Sequence, residues 1–176
     1  MEPTLIKFEI LDQPELLVVG KLLRVGANDV AAGKNTIPVL WEQCCKDGTF
    51  AALEALVDHL YDPAVRVGLC IDDMYAPASG DFGYICGMMM KPGTPVPEGF
   101  ASRPLASAKV AAAWVKGRQE HAPELCTAAH GLATKAIEER GMKPLGNWCM
   151  EVYNYPRWVE PDAEGNAILD YYLPCK

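Results

Sequence analysis

Lys91-Pro92-Gly93-Thr94-Pro95-Val96-Pro97-Glu98-Gly99-Phe100-Ala101-Ser102-Arg103-Pro104 is the stretch that decides how the rest of the chain divides. Its four prolines and two glycines suit neither a helix interior nor a central strand, so it reads as a connector crossing the surface. Immediately before it, Phe82 to Met90 reads as a strand, with Gly83 and Gly87 marking bulges or a close backbone approach. Before that, Val65, Val67, Leu69 and Ile71 alternate with Arg66, Gly68, Cys70 and Asp72, which is a second strand. Further back, Ile37, Leu40, Trp41 and Cys44 form one helical face opened by Pro38. After Gly48, a second helical stripe runs through Phe50, Leu53, Val57 and Leu60. The N-terminal residues Leu5 to Leu11 and Leu16 to Val25 read as extended, and Gly26 to Asn35 as a polar loop.

Beyond the connector the same order returns. Leu105 to Val115 is strand-like and is broken at Gly117. A helix follows from about Pro123, with Leu125, Ala129, Leu132, Ala136 and Ile137 on one face and Gly141 as its C-terminal cap. Asn147 to Tyr155 and Ala167 to Leu173 are strands, the last one stopped by Pro174, with a polar loop from Pro156 to Asn166 between them. Strand, helix, strand, strand therefore occurs twice. The expected architecture is α+β, a tandem duplication of one β-α-β-β module with helices packed on antiparallel sheet. It forms a single domain over 1–176, with pseudo-repeat halves about 1–92 and 104–176. Neither half alone covers both faces of its sheet, so the halves are expected to share a core.

Composition excludes several classes. Half the residues are apolar, and no run is long and apolar enough to span a bilayer, so membrane insertion by a helix is not expected. Met1 to Ile10 carries Glu2, Lys7 and Glu9 and lacks the shape of a secretory signal, so the expected location is the cytoplasm. The net charge is −7 and the basic residues are scattered singly, which argues against direct nucleic-acid binding. Seven cysteines show no CxxC and no Cys/His spacing suited to zinc. No metal or cofactor is expected, and the thiols are read as reduced packing groups.

Trp148-Cys149-Met150-Glu151-Val152-Tyr153 is the segment richest in chemistry. Period-two alternation puts Cys149, Glu151 and Tyr153 on one face and Trp148, Met150 and Val152 on the other. The pattern leaves two readings open. Either Glu151 faces solvent, or it lies inward, where a carboxylate needs a partner, a proton or a cationic ligand. Trp41, Tyr84 and Trp114 lie on separate elements and could offer ring faces to a cation or a flat molecule, or they could pack a core. Met88 lies in the run Met88-Met89-Met90, which suits either a promiscuous pocket or plain packing.

These pieces, taken in order, resemble the GyrI-like, or AraC-type effector-binding, family. Leu17-Val18-Val19-Gly20 resembles its first strand and Ile37-Pro38-Val39-Leu40-Trp41 its Pro-x-Leu-Trp helix start. Val67-Gly68-Leu69 and Phe82-Gly83-Tyr84-Ile85-Cys86-Gly87 are similar to its Val-Gly-Val and Phe-x-Tyr-x-x-Gly strands. Val96-Pro97-Glu98-Gly99-Phe100 matches its connector, Met150-Glu151-Val152-Tyr153 its Phe-Glu-x-Tyr strand, and Asp170-Tyr171-Tyr172-Leu173-Pro174 its closing strand. Met150 departs from the aromatic usual before the glutamate.

The resemblance implies two β-α-β-β modules enclosing a ligand groove, and it favours the inward reading of Glu151. It further implies a multidrug-type binding domain for a small, lipophilic, planar, cationic molecule. Glu151 would oppose the charge, with Trp41 and Tyr84 helping to wall the groove; the residues themselves add Trp114, Tyr153, Phe82 and Met88 as candidate ligand contacts. The alternative it carries is a hydrolase of cyclopropyl-type electrophiles, with Glu151 and Tyr153 or Tyr84 activating water. Regulators of this family place a helix-turn-helix before the module. Here the module opens within the first residues, so direct transcription control is not expected. Edge strands offer a route to a homodimer.

Overall fold

The computed structural model describes residues 2–34 and 36–176. It contains β1 (Thr4–Gln13), β2 (Leu16–Val25), α1 (Ala27–Ala31), α2 (Ile37–Lys46), α3 (Thr49–Glu54), β3 (Val65–Ile71) and β4 (Phe82–Met90). Then follow β5 (Ala101–Leu105), β6 (Ala108–Arg118), α4 (Ala122–Glu138), β7 (Trp148–Asn154) and β8 (Asn166–Cys175). All described strand pairs are antiparallel. The chain is mixed α+β, as expected. It divides into two compact units, Glu15–Ala106 and Met1–Pro14 with Ser107–Lys176.

In the Glu15–Ala106 unit the strand order is β5-β2-β4-β3. Odd positions of β2 and even positions of β4 face α2 and α3. Val19, Tyr84, Cys86 and Met88 there join Cys44, Phe50 and Leu53 in a buried cluster. β2 and β4 approach closely at the Gly20–Gly87 pair. A Cβ on Gly20 would overlap the Cys86 carbonyl oxygen, and one on Gly87 would overlap that of Val19, so only glycine fits either position.

In the other unit the order is β1-β6-β8-β7, with α4 across one face. The alanines that weaken β6 as a strand by propensity are explained by this helix. Ala111, Ala113 and Gly117 alternate on the face that meets α4, and Ala129, Ala133 and Ala136 of α4 are buried against the sheet. Small residues on both sides let the backbones approach closely.

Several expectations need correction. The connector's last part is β5, an edge strand on β2, where Pro104 is tolerated opposite Leu17. Gly117 lies inside β6, paired with Ala167, and Pro174 lies inside β8, paired with Val110, so neither ends its strand. The second helical stripe stops at Glu54; Val57 sits in a 3₁₀ turn and is exposed. Gly26 to Asn35 contains α1, apart from Asn35, which lies outside the described residues. The compact units differ from the expected halves 1–92 and 104–176 in two respects, the first being that the connector and β5 group with the first half. The second is that β1 pairs with β6 and so belongs with the second half.

Candidate functional site

Strand register fixes which side chains share a face with Glu151. Glu151 pairs with Tyr171, Tyr171 with Ala113, and Ala113 with Phe8. This row lies under α4, whose His130 Nδ1 is 3.0 Å from Tyr171 Oη. Cys149 and Tyr153 share the face with Glu151 by the period of two. Glu151 is 8% exposed, Cys149 is buried, and Tyr153 is half-buried.

Two groups close around the carboxylate. Tyr153 Oη donates to Glu151 Oε2 at 2.8 Å, and Cys126 Sγ of α4 lies 3.7 Å from the same phenol oxygen. Trp158, in the β7–β8 loop, meets the Tyr153 ring edge-on with centroids 4.9 Å apart. Burial first, and then the negative charge of Glu151, pushes the Cys126 thiol far above the usual thiol range, against the lowering effect of the Tyr153 bond. The arrangement is a sequestered carboxylate with a phenol, a protonated thiol and an indole beside it. It can oppose a positive charge, offer ring surface, or pass a proton along Cys126, Tyr153 and Glu151.

The next row belongs to the opposite face. Val152 pairs with Asp170, Asp170 with Trp114, and Trp114 with Lys7. The structure therefore separates Trp114 from Glu151. Its ring already carries Arg157 at 4.0 Å and Lys7 at 4.4 Å from the centroid. Arg157 also holds Asp170 through Nε at 3.2 Å and Nη2 at 2.5 Å. Burial outweighs this pairing and holds the Asp170 carboxyl above its usual range.

In the Glu15–Ala106 unit, Trp41 Nε1 donates to Tyr84 Oη at 2.8 Å, and its ring stacks on Phe50 at 5.9 Å. Tyr84 is fully buried, while Trp41 and Phe82 remain half-buried at the edge of the cluster. Met88 is 1% exposed and packs inside it. The structure thus brings Trp41 and Tyr84 together and places Met88 in the core. Each unit contains a buried strand tyrosine whose hydroxyl meets a ring nitrogen of the covering helix, Trp41 in one and His130 in the other. The cross-strand neighbour of that tyrosine is Cys70 in one unit and Glu151 in the other.

Sequence reasoning missed Cys126, His130, Tyr171 and Trp158. Cys126 and His130 each follow a buried helix position, Leu125 and Ala129, and so flank the apolar stripe. That offset was a readable signal. Trp158 lies in an irregular loop, where no periodicity assigns a face.

Comparison with known proteins gives a consistent result. The family model for the GyrI-like small molecule binding domain matches residues 6–176. The transcriptional regulator BrlR of Pseudomonas aeruginosa PAO1 is 28% identical over 165 residues, covering 94% of this chain and 54% of that protein. The chain therefore spans about half the length of this curated relative. Among solved structures, a bacterial transcription-regulation protein from Staphylococcus aureus MU50 aligns with a TM-score of 0.68 at 18% identity, covering 97% of this chain and 98% of that one. SAV2435, solved bound to tetraphenylphosphonium, aligns at 0.66 with 14% identity, covering 97% and 94%. At these identities the two structures speak to the fold alone.

Proposed function

We propose, from the premise that this chain belongs to the GyrI-like small-molecule-binding family, that it binds a lipophilic, planar organic cation through Glu151. The observation that supports this is a carboxylate only 8% exposed, hydrogen-bonded by a phenol whose ring meets an indole. Such a group gains most from a guest that brings its own charge and apolar surface together. Tyr153 and Trp158 supply ring faces worth about 0.5–2 kcal/mol each to a cation. The tetraphenylphosphonium held by SAV2435 is likewise a lipophilic, aromatic organic cation, tetrahedral instead of planar.

The test is a fluorescence titration with ethidium, with tetraphenylphosphonium as competitor. Glu151→Gln should weaken ethidium about tenfold or more, which is about 1.4 kcal/mol. A neutral molecule of similar shape should be indifferent to that change. Equal ethidium affinity in both proteins would remove the role given to the charge.

The Tyr153–Glu151 hydrogen bond favours a second reading, hydrolysis of a cyclopropyl electrophile, because it is a ready proton-transfer pair. Product formation followed by mass spectrometry, and lost in Glu151→Ala, would select it. Tight binding without turnover would reject it.

A further inference from the structure

We propose that the Glu151 site captures, covalently, organic cations that carry a thiol-reactive centre, with Cys126 as the nucleophile and Glu151 admitting positive charge. The proposal deepens the cation-binding function and rests on it.

Three groups from two elements place the chemistry. Cys126 Sγ of α4 is 3.7 Å from Tyr153 Oη, which donates to Glu151 Oε2 at 2.8 Å on β7. Cys126 is partly exposed, one position off the buried Leu125–Ala129–Ala133 stripe. It therefore borders the site instead of filling the core. Cys44, Cys86, Cys149 and Cys175 are all buried.

Charge sets the selectivity. At rest the thiol is kept protonated by burial and by the carboxylate beside it. A neutral electrophile changes neither cause. A cation offsets the negative charge of Glu151 and delivers its reactive centre next to Sγ in the same step. The S–H proton then passes through the Tyr153 hydroxyl towards Glu151 and on to water. The sulfur lone pair forms the new bond, and the leaving group departs with its electron pair, so no external oxidant is required.

Two reagents test this. They are 2-(trimethylammonio)ethyl methanethiosulfonate, which is cationic, and methyl methanethiosulfonate, which is neutral. Each forms a disulfide with the thiol and releases methanesulfinate. Modification is followed per cysteine by peptide mass spectrometry, with exposed Cys45 as internal reference. The cationic-to-neutral rate ratio at Cys126 should exceed that at Cys45 by about tenfold. Glu151→Gln should bring the two ratios together. Cys126 left unmodified when Cys45 is fully modified, or a ratio unchanged in Glu151→Gln, overturns the proposal. Should that variant not fold, protection decides: tetraphenylphosphonium must slow Cys126 and spare Cys45 in the unaltered protein. Ethidium titration of Cys126→Ser separates the two levels. Binding retained there, with Cys126 unlabelled in the unaltered protein, ends covalent capture alone. Binding lost from every protein ends the cation-binding function as well.

Discussion

Removing Arg157 should cost far more than removing the carboxylate it holds. The Asp170 side chain is 2% exposed and that of Arg157 is 26% exposed. The guanidinium makes both hydrogen bonds to the carboxylate and lies 4.0 Å over the Trp114 ring. Arg157→Met keeps the aliphatic stem but strands a buried charge, and breaking such a pair costs about 3–5 kcal/mol. Each kcal/mol moves Tm by about 2–4 °C in a chain of this size, so a fall of about 10 °C is expected. Asp170→Asn removes the charge itself. Because burial already outweighs the pairing, that variant should lose under about 2 kcal/mol, and the double variant should recover part of the Arg157→Met loss. The pH dependence has a definite sign. A carboxyl raised in the folded state contributes stability that is full below its unfolded pKa and is lost as pH rises through the folded value. Without Arg157 the folded value rises further. The Arg157→Met deficit should therefore be larger at pH 7 than at pH 4.5, with Lys7 and Glu9 acting on Asp170 in opposite directions in both proteins. Urea unfolding at the two pH values measures this. A deficit under about 1 kcal/mol, or one equal to that of Asp170→Asn, would refute the reasoning.

Two further outcomes are open to the same assay. Gly87→Ala should destabilise by about 3 kcal/mol or more, since its Cβ would meet backbone on β2, whereas Gly117→Ala meets only the Leu125 Cδ1 end at 2.8 Å and should cost about 1–2 kcal/mol. Equal costs would mean that the β2–β4 approach relaxes readily. Trp41→Phe removes the N–H donated to buried Tyr84 and should cost about 1–2 kcal/mol of stability.

β3, β4, α2 and β7 were legible almost to the residue: helical spacing marks α2, alternation marks β3, and β4 and β7, buried on both faces for most of their length, read as short apolar runs bounded by loop residues. Periodicity could not reveal that β1 pairs with β6 instead of staying with its own half, since alternation says which face is buried and nothing about the partner strand. β5 was hidden because an edge strand needs only one side's hydrogen bonds, and so can carry Pro104. Val57 fits the helical spacing of Phe50 and Leu53, but the chain leaves the helix at Glu54 and turns it outward. Glu151 was placed on the correct face by alternation, while the choice between inside and outside came from resemblance to a family. Besides Tyr153 on β7 itself, the groups that give Glu151 its setting come from the preceding helix α4 and from the irregular loop that follows β7, and no single period links them.

The duplication bears on how charge recognition can arise in such a module. Both units build the same support: a strand tyrosine sealed from solvent, its hydroxyl fixed by a ring nitrogen on the covering helix. At the neighbouring strand position one unit has Cys70 and the other Glu151. A thiol is tolerated there as a small hydrophobe, and the surrounding rings suffice to pack it. A carboxylate in the corresponding register needs more, because its ionised form must be compensated once water is removed. The extra groups appear where they are needed: Tyr153 donates to Glu151, and Cys126 and Trp158 enclose the phenol. The proposed charge recognition therefore requires no second scaffold. One residue exchanged on a shared frame, together with a short set of neighbours that lowers the cost of burying it, turns a packing position into a sequestered carboxylate, the charge that the proposed cation binding requires.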